Sequence, residues 1–393
     1  MELASTHEVV ILGGGVAGCA TALALRQHGI EDILIIESGP HDAPKIGESI
    51  PPESRLLLQR LQLWEDFLNE CHEPCLGSRS SWGSDAVGYN DFLFNPHGTG
   101  WHLNRQRFDA FLVRKVRQCD VEIRDGTRFV HAERMADQGF ELQLRTGTER
   151  QSVHAQLVVD ATGTHSRFAK TMGTKQLGHD RLVWLGAFLD RPASRDAARL
   201  TMLEAVEYGW WYAAGMPDGR AIVAVVTDAE TNRQRALHER ATWFAYLKQT
   251  RHIAVWLDGY DPRNDADMLI CSAPSFMLDQ VHGSDWLAVG DAASAYDPIA
   301  SQGLYKALLG GLEVADAISH HRAGDGAAFE KYGAAVANRF AGYLGTRNYF
   351  YGLELRWWSS LFWWNRQQRK ELLMEDAAKT SPPPPPLLLR VGF

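Results

Sequence analysis

The first apolar run, Val9 to Leu12, is short and bounded by polar residues, the pattern of a buried strand. Glycines follow at Gly13, Gly14, Gly15 and Gly18. From Val16 to Gln27 the apolar positions recur with helical spacing. A second run, Asp32 to Ile36, predicts another strand, ending at Glu37. Much later, Trp286 to Val289 predicts a strand, and a helix opens near Gly303. Residues 181–228 hold apolar runs such as RLVWLGAFL and AIVAVVTD, separated by turn signals such as Pro217-Asp218-Gly219, and read as antiparallel strands. Residues 233–257 carry helical spacing. The stretch Gly77–Ser84, GSRSSWGS, shows neither period and reads as irregular backbone that approaches something closely.

A chain of 393 residues, 45% apolar, is long enough for two joined domains. Its net charge of −8 argues against a nucleic-acid partner. The five cysteines, Cys19, Cys71, Cys75, Cys119 and Cys271, are odd in number and irregularly spaced, so no disulfide framework is expected. Cys71 and Cys75 in CHEPC lack a second ligand pair, and no metal site is expected there. The N-terminal residues lack the pattern of a signal peptide, and no run of about 18 apolar residues occurs. A cytoplasmic protein without a transmembrane segment is the expectation.

The strand–glycine–helix unit carries the first chemistry. Gly13 to Gly18 fit G-x-G-x-x-G between a strand and a helix. Gly13 permits the turn, Gly15 lets the backbone approach a pyrophosphate, and Gly18 lets helix and strand pack. Val16 and Ala17 open the helix, whose free amides and positive dipole end attract phosphate. Glu37, with Ser38 beside it, ends the next strand, where a carboxylate accepts both hydroxyl hydrogens of a ribose. FAD and NAD both satisfy this unit.

Two further segments favour FAD. WLAVGDAASAYDPIASQGLYKALLGG, residues 286–311, resembles the G-D-A-A…D-P…G segment of FAD-dependent aromatic hydroxylases and flavin-dependent halogenases. The resemblance implies that Gly290 and Asp291 approach the ribityl chain, and that Pro298, Gly303 and Leu304 bring a helix N-terminus to the flavin. LVVDATGTHSRFAK, residues 157–170, is similar to the A-T-G turn of the same superfamily, placing Asp160, Ala161 and Gly163 beneath the cofactor. In WHLNRQRFDAFL the leading Arg105 matches the arginine that reaches the FAD phosphates, with Arg107 its rival. The resemblance spans roughly residues 8–320. It implies an α/β fold: a Rossmann-like FAD-binding domain (1–75, 100–175 and 273–320), an inserted antiparallel-sheet substrate domain (76–99 and 176–272), a helical aromatic-rich region (321–380) and a Pro-rich tail (381–393).

KIGESIPP, Lys45 to Pro52, resembles the I-G-E-S/A-x-x-P segment of the tryptophan-halogenase-like branch, which lies along the flavin. Gly47, Glu48 and Ser49 are therefore cofactor-side candidates. Halogenases of this branch carry a lysine in F-K-W-G. Here the aligned residues are Ser80-Ser81-Trp82-Gly83, and the hydroxyl of Ser81 supplies no positive charge. A second halogenase marker, W-x-W-x-I-P, is matched only at Trp210 in GWWYAAG. Both departures favour oxygen transfer from a flavin C4a-hydroperoxide over halide oxidation.

G-x-R-S-x-W-G together with G-E-S-I-P-P is similar to the flavoproteins that hydroxylate a partner-protein tryptophan to build tryptophylquinone cofactors. That resemblance implies an FAD-dependent monooxygenase using O2, with electrons from NAD(P)H or a separate flavin reductase. Its substrate would be an electron-rich aromatic ring, either peptidyl tryptophan or a free metabolite. Ser81, Trp82 and Glu48 are the candidate tunnel residues, and His72, His97 and His102 are weighed as acid–base helpers against structural roles. The alternatives are an altered halogenase, a small-molecule aromatic hydroxylase and a non-catalytic assembly factor. The aromatic and basic residues of 347–370 are read as packing onto the substrate domain, or as a protein or peripheral membrane contact. The tail SPPPPPLLLRVGF is a polyproline stretch with an apolar tip.

Overall fold

The computed structural model describes residues 5–40, 46–136, 138–193, 199–262 and 268–367. Lys45 and the Pro-rich tail lie outside these residues, as do residues 368–380 of the aromatic-rich region.

The first strand, Ser5–Leu12, pairs in parallel with Ile33–Ile36 on one side and Glu149–Asp160 on the other. Its last four residues are buried on both faces, which explains the unbroken apolar run. Glu122–Arg124 and Trp286–Ala288 extend the parallel part, and two antiparallel strands, Phe140–Thr146 and Thr127–Arg134, complete a seven-stranded sheet. The helices Val16–Gln27 and Gly303–Arg322 pack together on this sheet. Small residues make the contact: a Cβ on Gly311 would lie 2.6 Å from that of Ala20.

The second sheet has nine strands and is mostly antiparallel. Gln176–Asp190, Arg220–Asp228, Gly209–Gly215 and Leu200–Val206 lie side by side as the alternation predicts. Leu269–Leu278 runs through the expected boundary at residue 273 and belongs wholly to this sheet. Each face has its own core. Trp210, Ala214 and Leu203 face Tyr351, Phe362 and Trp363 of the C-terminal helices. Trp211, Ala213 and Val225 face Trp243, Leu247 and Ile253. A three-stranded sheet, Ser49–Ile50, Gly100–His102 and Glu73–Cys75, sits among the segments linking the two large sheets.

Two expectations change. Gly77–Ser81 is a strand, not irregular backbone, held in parallel by Leu200–Val206 and antiparallel by Gly88–Asp91. Residues 233–257 are not one helix but parts of three short ones: Ala229–Arg235, Arg240–Leu247 and Ile253–Trp256. The first ends where Ala236 turns left-handed, at φ +51°. The last is fixed by the buried Glu204, whose carboxylate accepts the amides of Arg251, His252 and Ile253 at 2.6, 2.9 and 2.9 Å. No helix among the described residues is long and apolar enough to cross a membrane.

Candidate flavin site

The first turn is built by steric exclusion. Gly13 has φ +115°, and a Cβ there would lie 2.3 Å from the Ala161 carbonyl oxygen. A Cβ on Gly18 would lie 1.9 Å from the Gly13 carbonyl oxygen. Gly15 differs: a Cβ there meets nothing within 4 Å, and its backbone faces a cavity of about 420 Å³. No side chain caps the helix that starts after it, so its first amides remain available. Glu37 stands at the end of Ile33–Ile36 and braces the turn, accepting from Gly14 N and Gly39 N at 2.6 Å each. Ser38 is exposed beside it.

A second helix N-terminus meets the same cavity. Gly303 opens a 20-residue helix that no side chain caps, and a Cβ on Gly303 also meets nothing within 4 Å. Leu304, Pro298, Asp291, Ala161, Gly163, Val16 and Ala17 line the cavity with it. Lys306 Nζ reaches back to Asp291 at 2.8 Å, and burial pulls this ammonium below its ordinary range while Asp291 opposes the shift. Gly290 allows the close approach of Ala17. Asp160 is fully buried and serves the turn itself. It accepts from Thr162 N at 3.0 Å, Thr162 Oγ1 at 2.6 Å and Ala169 N at 2.9 Å. Burial raises its carboxyl above the usual range against those bonds.

Arg105 and Arg107 separate cleanly. Asn104 caps their helix by accepting from Arg107 N at 3.0 Å. Arg105 then lines the cavity, bound to the Ile46 and Gly47 carbonyls and to Asp109. Arg107 is exposed and turns toward the Glu70 carbonyl at 3.5 Å.

Gly47 and Glu48, just before the short strand Ser49–Ile50, and Ser49, its first residue, enter the cavity wall. Burial raises the Glu48 carboxyl, opposed by hydrogen bonding with Tyr212 and by Arg105. The large sheet contributes the aromatic side chains Trp184, Trp210 and Tyr212, with Ser272, Ala273 and Pro274 of Leu269–Leu278 beside them. Trp210 and Tyr212 are two apart on one strand and therefore share a face. Asp297 is fully buried. Its carboxylate accepts from Ile299 N at 3.0 Å, Tyr351 Oη at 2.9 Å and Arg347 Nε at 3.2 Å.

The tunnel candidates divide. Glu48 lines the cavity, whereas Ser81 and Trp82 are not brought to its wall. Ser81 is buried and donates to the Ser84 carbonyl at 3.1 Å. Trp82 donates to the Phe350 carbonyl at 2.7 Å and sits edge-on to Tyr351 and Trp363. Gly83 N donates to Glu354 at 2.8 Å, so this stretch is clamped to the C-terminal helices. His72 and His102 are buried and held neutral, each pulled down to about 4 by burial. His97 is half-buried in a loop. Trp184, Tyr212 and Asp297 were absent from the sequence-derived site. Alternation gave two faces to each strand, but only the packed sheets reveal which face meets the cavity.

Two open helix N-termini, a bare glycine backbone and an acidic strand end define a dinucleotide-binding flavoprotein fold. The chain belongs to the FAD binding domain family, whose model matches residues 6–334. It is a flavin-dependent oxidoreductase. It is 29% identical over 375 residues to LodB of Marinomonas mediterranea, a protein named as an FAD-dependent oxidoreductase, covering 90% of this chain and 94% of LodB. Among solved structures it resembles CmlS, a flavin-dependent halogenase, with a TM-score of 0.83 at 22% identity, covering 97% of this chain and 71% of CmlS. It also resembles QhpG, a peptidyl tryptophan dihydroxylase essential for tryptophylquinone cofactor biogenesis. That match has a TM-score of 0.69 at 23% identity, covering 92% of this chain and 79% of QhpG. At these identities the structural likenesses establish the fold. The residues present fit FAD: at Gly15 and Gly303 the protein leaves open the space that a side chain would fill, and uncapped amides face it.

Proposed function

We propose that this chain oxygenates an electron-rich aromatic ring, a tryptophan presented by a partner polypeptide. The observation that carries the reading is the aromatic wall, Trp184, Trp210 and Tyr212, lining the same cavity as the two open helix N-termini. Among the described lining residues the cationic side chain is Arg105, which is already engaged with two carbonyls and Asp109. The position aligned with the halogenase lysine, Ser81, offers a neutral hydroxyl outside the cavity wall.

Bound FAD supplies electron transfer and oxygen activation. The protein's part is positioning. The amides after Gly15 would hold the pyrophosphate, and Arg105 would add positive charge beside it. Glu37, whose carboxylate braces the turn at Gly14 and Gly39 and is not among the cavity-lining residues, would take the ribose at the cavity's edge. The uncapped N-terminus of the Gly303 helix would place its positive end toward the flavin ring and favour negative charge there. The aromatic wall orients the substrate ring and excludes water. An indole is electron-rich, so attack on it requires no strong base at the ring. NAD(P)H or a separate flavin reductase delivers the electrons, and O2 supplies the oxygen. Exposed Tyr349, Leu355, Trp358 and Trp364 on the C-terminal region support a polypeptide partner, since such residues anchor protein interfaces.

The test is turnover of purified holoprotein with reductant and O2, read by mass spectrometry on a tryptophan-containing polypeptide and on free indoles. Oxygen gain on the polypeptide tryptophan is expected. Oxygen gain only on free indoles overturns the partner assignment, and no oxygenated product on either overturns the reaction class. Halogenation is the second reading, favoured by the fold shared with CmlS. Halogenated indole in chloride or bromide would establish it instead.

A further inference from the structure

A polar chain leaves the cavity through the small sheet. Glu48 lines the cavity yet is only 5% exposed. The Tyr212 hydroxyl and the Glu48 carboxyl are neighbours on the cavity wall and act on each other electrostatically. That hydroxyl lies 3.0 Å from Ser49 Oγ, which in turn lies 3.1 Å from His102 Nδ1. Strand register continues the row: His102 pairs with Ser49 on one side and with Glu73 on the other. Residues paired across antiparallel strands project from the same face, with Cβ atoms about 4.5–5.5 Å apart. At this point the hydrogen bonding stops. His102 Nε2 and Glu73 Oε2 are both buried, and neither has a partner. A water between these two register-paired side chains would satisfy both atoms. Glu73 itself is half-buried, with Arg191, Arg199 and Asp218 nearby, and opens toward solvent.

We propose that Glu48, Tyr212, Ser49, His102 and Glu73, with one water between the last two, form a proton path from the surface to the flavin cavity. This rests on the reading of the cavity as the FAD site. Without an aromatic substrate, anionic reduced FAD reacts with O2 and one proton to give oxidised FAD and hydrogen peroxide. Two electrons pass from flavin to oxygen, and the path supplies the proton. Glu48 releases a proton into the cavity and takes one from Tyr212. Tyr212 takes one from Ser49, and Ser49 takes one from His102 Nδ1. His102 Nε2 takes one from the water, the water from Glu73, and Glu73 from solvent. Each group ends with the proton count it began with, and the path resets when the imidazole tautomer and the hydroxyls revert. Burial suits the groups to this role. It keeps the His102 ring neutral and able to exchange tautomers, and it favours the protonated form of Glu48. Arg105 beside Glu48, Cys75 beside Tyr212, and Arg191, Arg199 and Asp218 beside Glu73 are titratable groups facing the path.

The experiment mixes photoreduced holoprotein with oxygenated buffer and follows the return of flavin absorbance in H2O and D2O. Ser49→Ala removes one relay hydroxyl, and reoxidation should slow by about 100-fold, the lower end for a lost proton-transfer group. The solvent isotope effect should rise, Ser49→Thr should restore the rate, and Glu73→Gln should slow it from the far end. Nitrogen-15 NMR of labelled histidine gives a second reading independent of turnover. His102 should stay neutral down to about pH 4 and change its tautomer balance in Ser49→Ala. Wild-type rates in Ser49→Ala, with flavin fully retained, overturn the path alone. A His102 that titrates as an exposed histidine also overturns it. Wild-type protein that retains no flavin overturns the cofactor reading beneath it.

Discussion

The glycine cradle and the aromatic wall enclose one cavity, yet they are made in opposite ways. The cradle is largely backbone from a contiguous stretch, Gly13 to Gly18, positioned by the strand before it and the helix after it. The wall is side chain, gathered from Gln176–Asp190 and Gly209–Gly215, with Ser49 of a distant segment bonded to Tyr212. The first uses the absence of side chains and the second their presence. The cradle should therefore fail abruptly to added atoms, whereas the wall should degrade by degrees as contacts are removed.

The largest effect should separate two glycines only two residues apart. Gly13→Val places side-chain atoms against the Ala161 carbonyl at a positive φ, and strain of about 1–3 kcal/mol adds to overpacking of about 1–3 kcal/mol. Little soluble protein is expected. Gly15→Val projects into open cavity instead. It should fold with near wild-type circular dichroism and lose its FAD, read from the visible absorbance. A Gly15→Val protein that keeps its flavin would falsify the placement of the pyrophosphate.

The next test loosens the support behind the wall. Trp210 donates to Tyr351 Oη at 3.0 Å, and Tyr351 donates to Asp297 at 2.9 Å. Arg347 pairs with Asp297 and Asp180, and Arg366 pairs with Asp180 and Asp228, all largely buried. Arg347→Ala leaves buried carboxylates uncompensated and should cost about 3–5 kcal/mol in denaturant unfolding. A loss below about 1 kcal/mol would mean that the network does not hold the Asp297–Pro298 segment.

A pH test addresses the small sheet and its surroundings. His72 and His102 fall from an ordinary 6.5 to about 4 in the folded protein. As the pH drops below 6.5 the unfolded chain protonates first. The stability that each neutral ring contributes is full above pH 6.5 and is lost as the pH falls toward 4, at about 1.4 kcal/mol per pH unit. Glu48, Asp160 and Asp297, raised by burial, act with the opposite sign: their contribution is present at low pH and lost as the pH rises through their folded values. The histidine contribution is therefore the difference between wild type and His72→Gln/His102→Gln. The variant should lose less stability between pH 6.5 and 4, and parallel curves would refute the assignment.

The smallest effect on stability belongs to the wall itself. Tyr212→Phe keeps the ring and removes the hydroxyl that meets Ser49, costing about 1 kcal/mol of stability. Flavin should be retained and its reoxidation should slow as in Ser49→Ala, while the product distribution of the proposed oxygenation shifts. Unchanged products would detach Tyr212 from substrate positioning.

Much of the cradle was legible because its requirements are local. A turn needs glycine where φ is positive, and a parallel strand buried on both faces reads as unbroken apolar residues. The helix predicted at Val16 to Gln27 has those bounds, and the helix near Gly303 begins there. The wall was half legible. Trp210 was singled out as part of a motif, but Tyr212 was counted only as a departure from it. GSRSSWGS misled because glycine and serine conceal strand periodicity. The stretch became a strand through pairing with Leu200–Val206, some 120 residues later in the chain. Trp82 then turned toward the C-terminal aromatics, with its indole on the Phe350 carbonyl.

The sequence by itself determined the strand–glycine–helix unit, the second helix N-terminus and the alternation of the nine-stranded sheet. Each rests on steric and periodic rules that act over a few neighbouring residues. Tertiary structure decided the rest. Glu204 fixed where a helix begins, Arg105 rather than Arg107 reached the cavity, and one face of Gly209–Gly215 became its wall. Those outcomes depend on which distant surfaces bury one another, and burial of a strand face or a guanidinium is set by the partner that covers it rather than by its own neighbours in the chain.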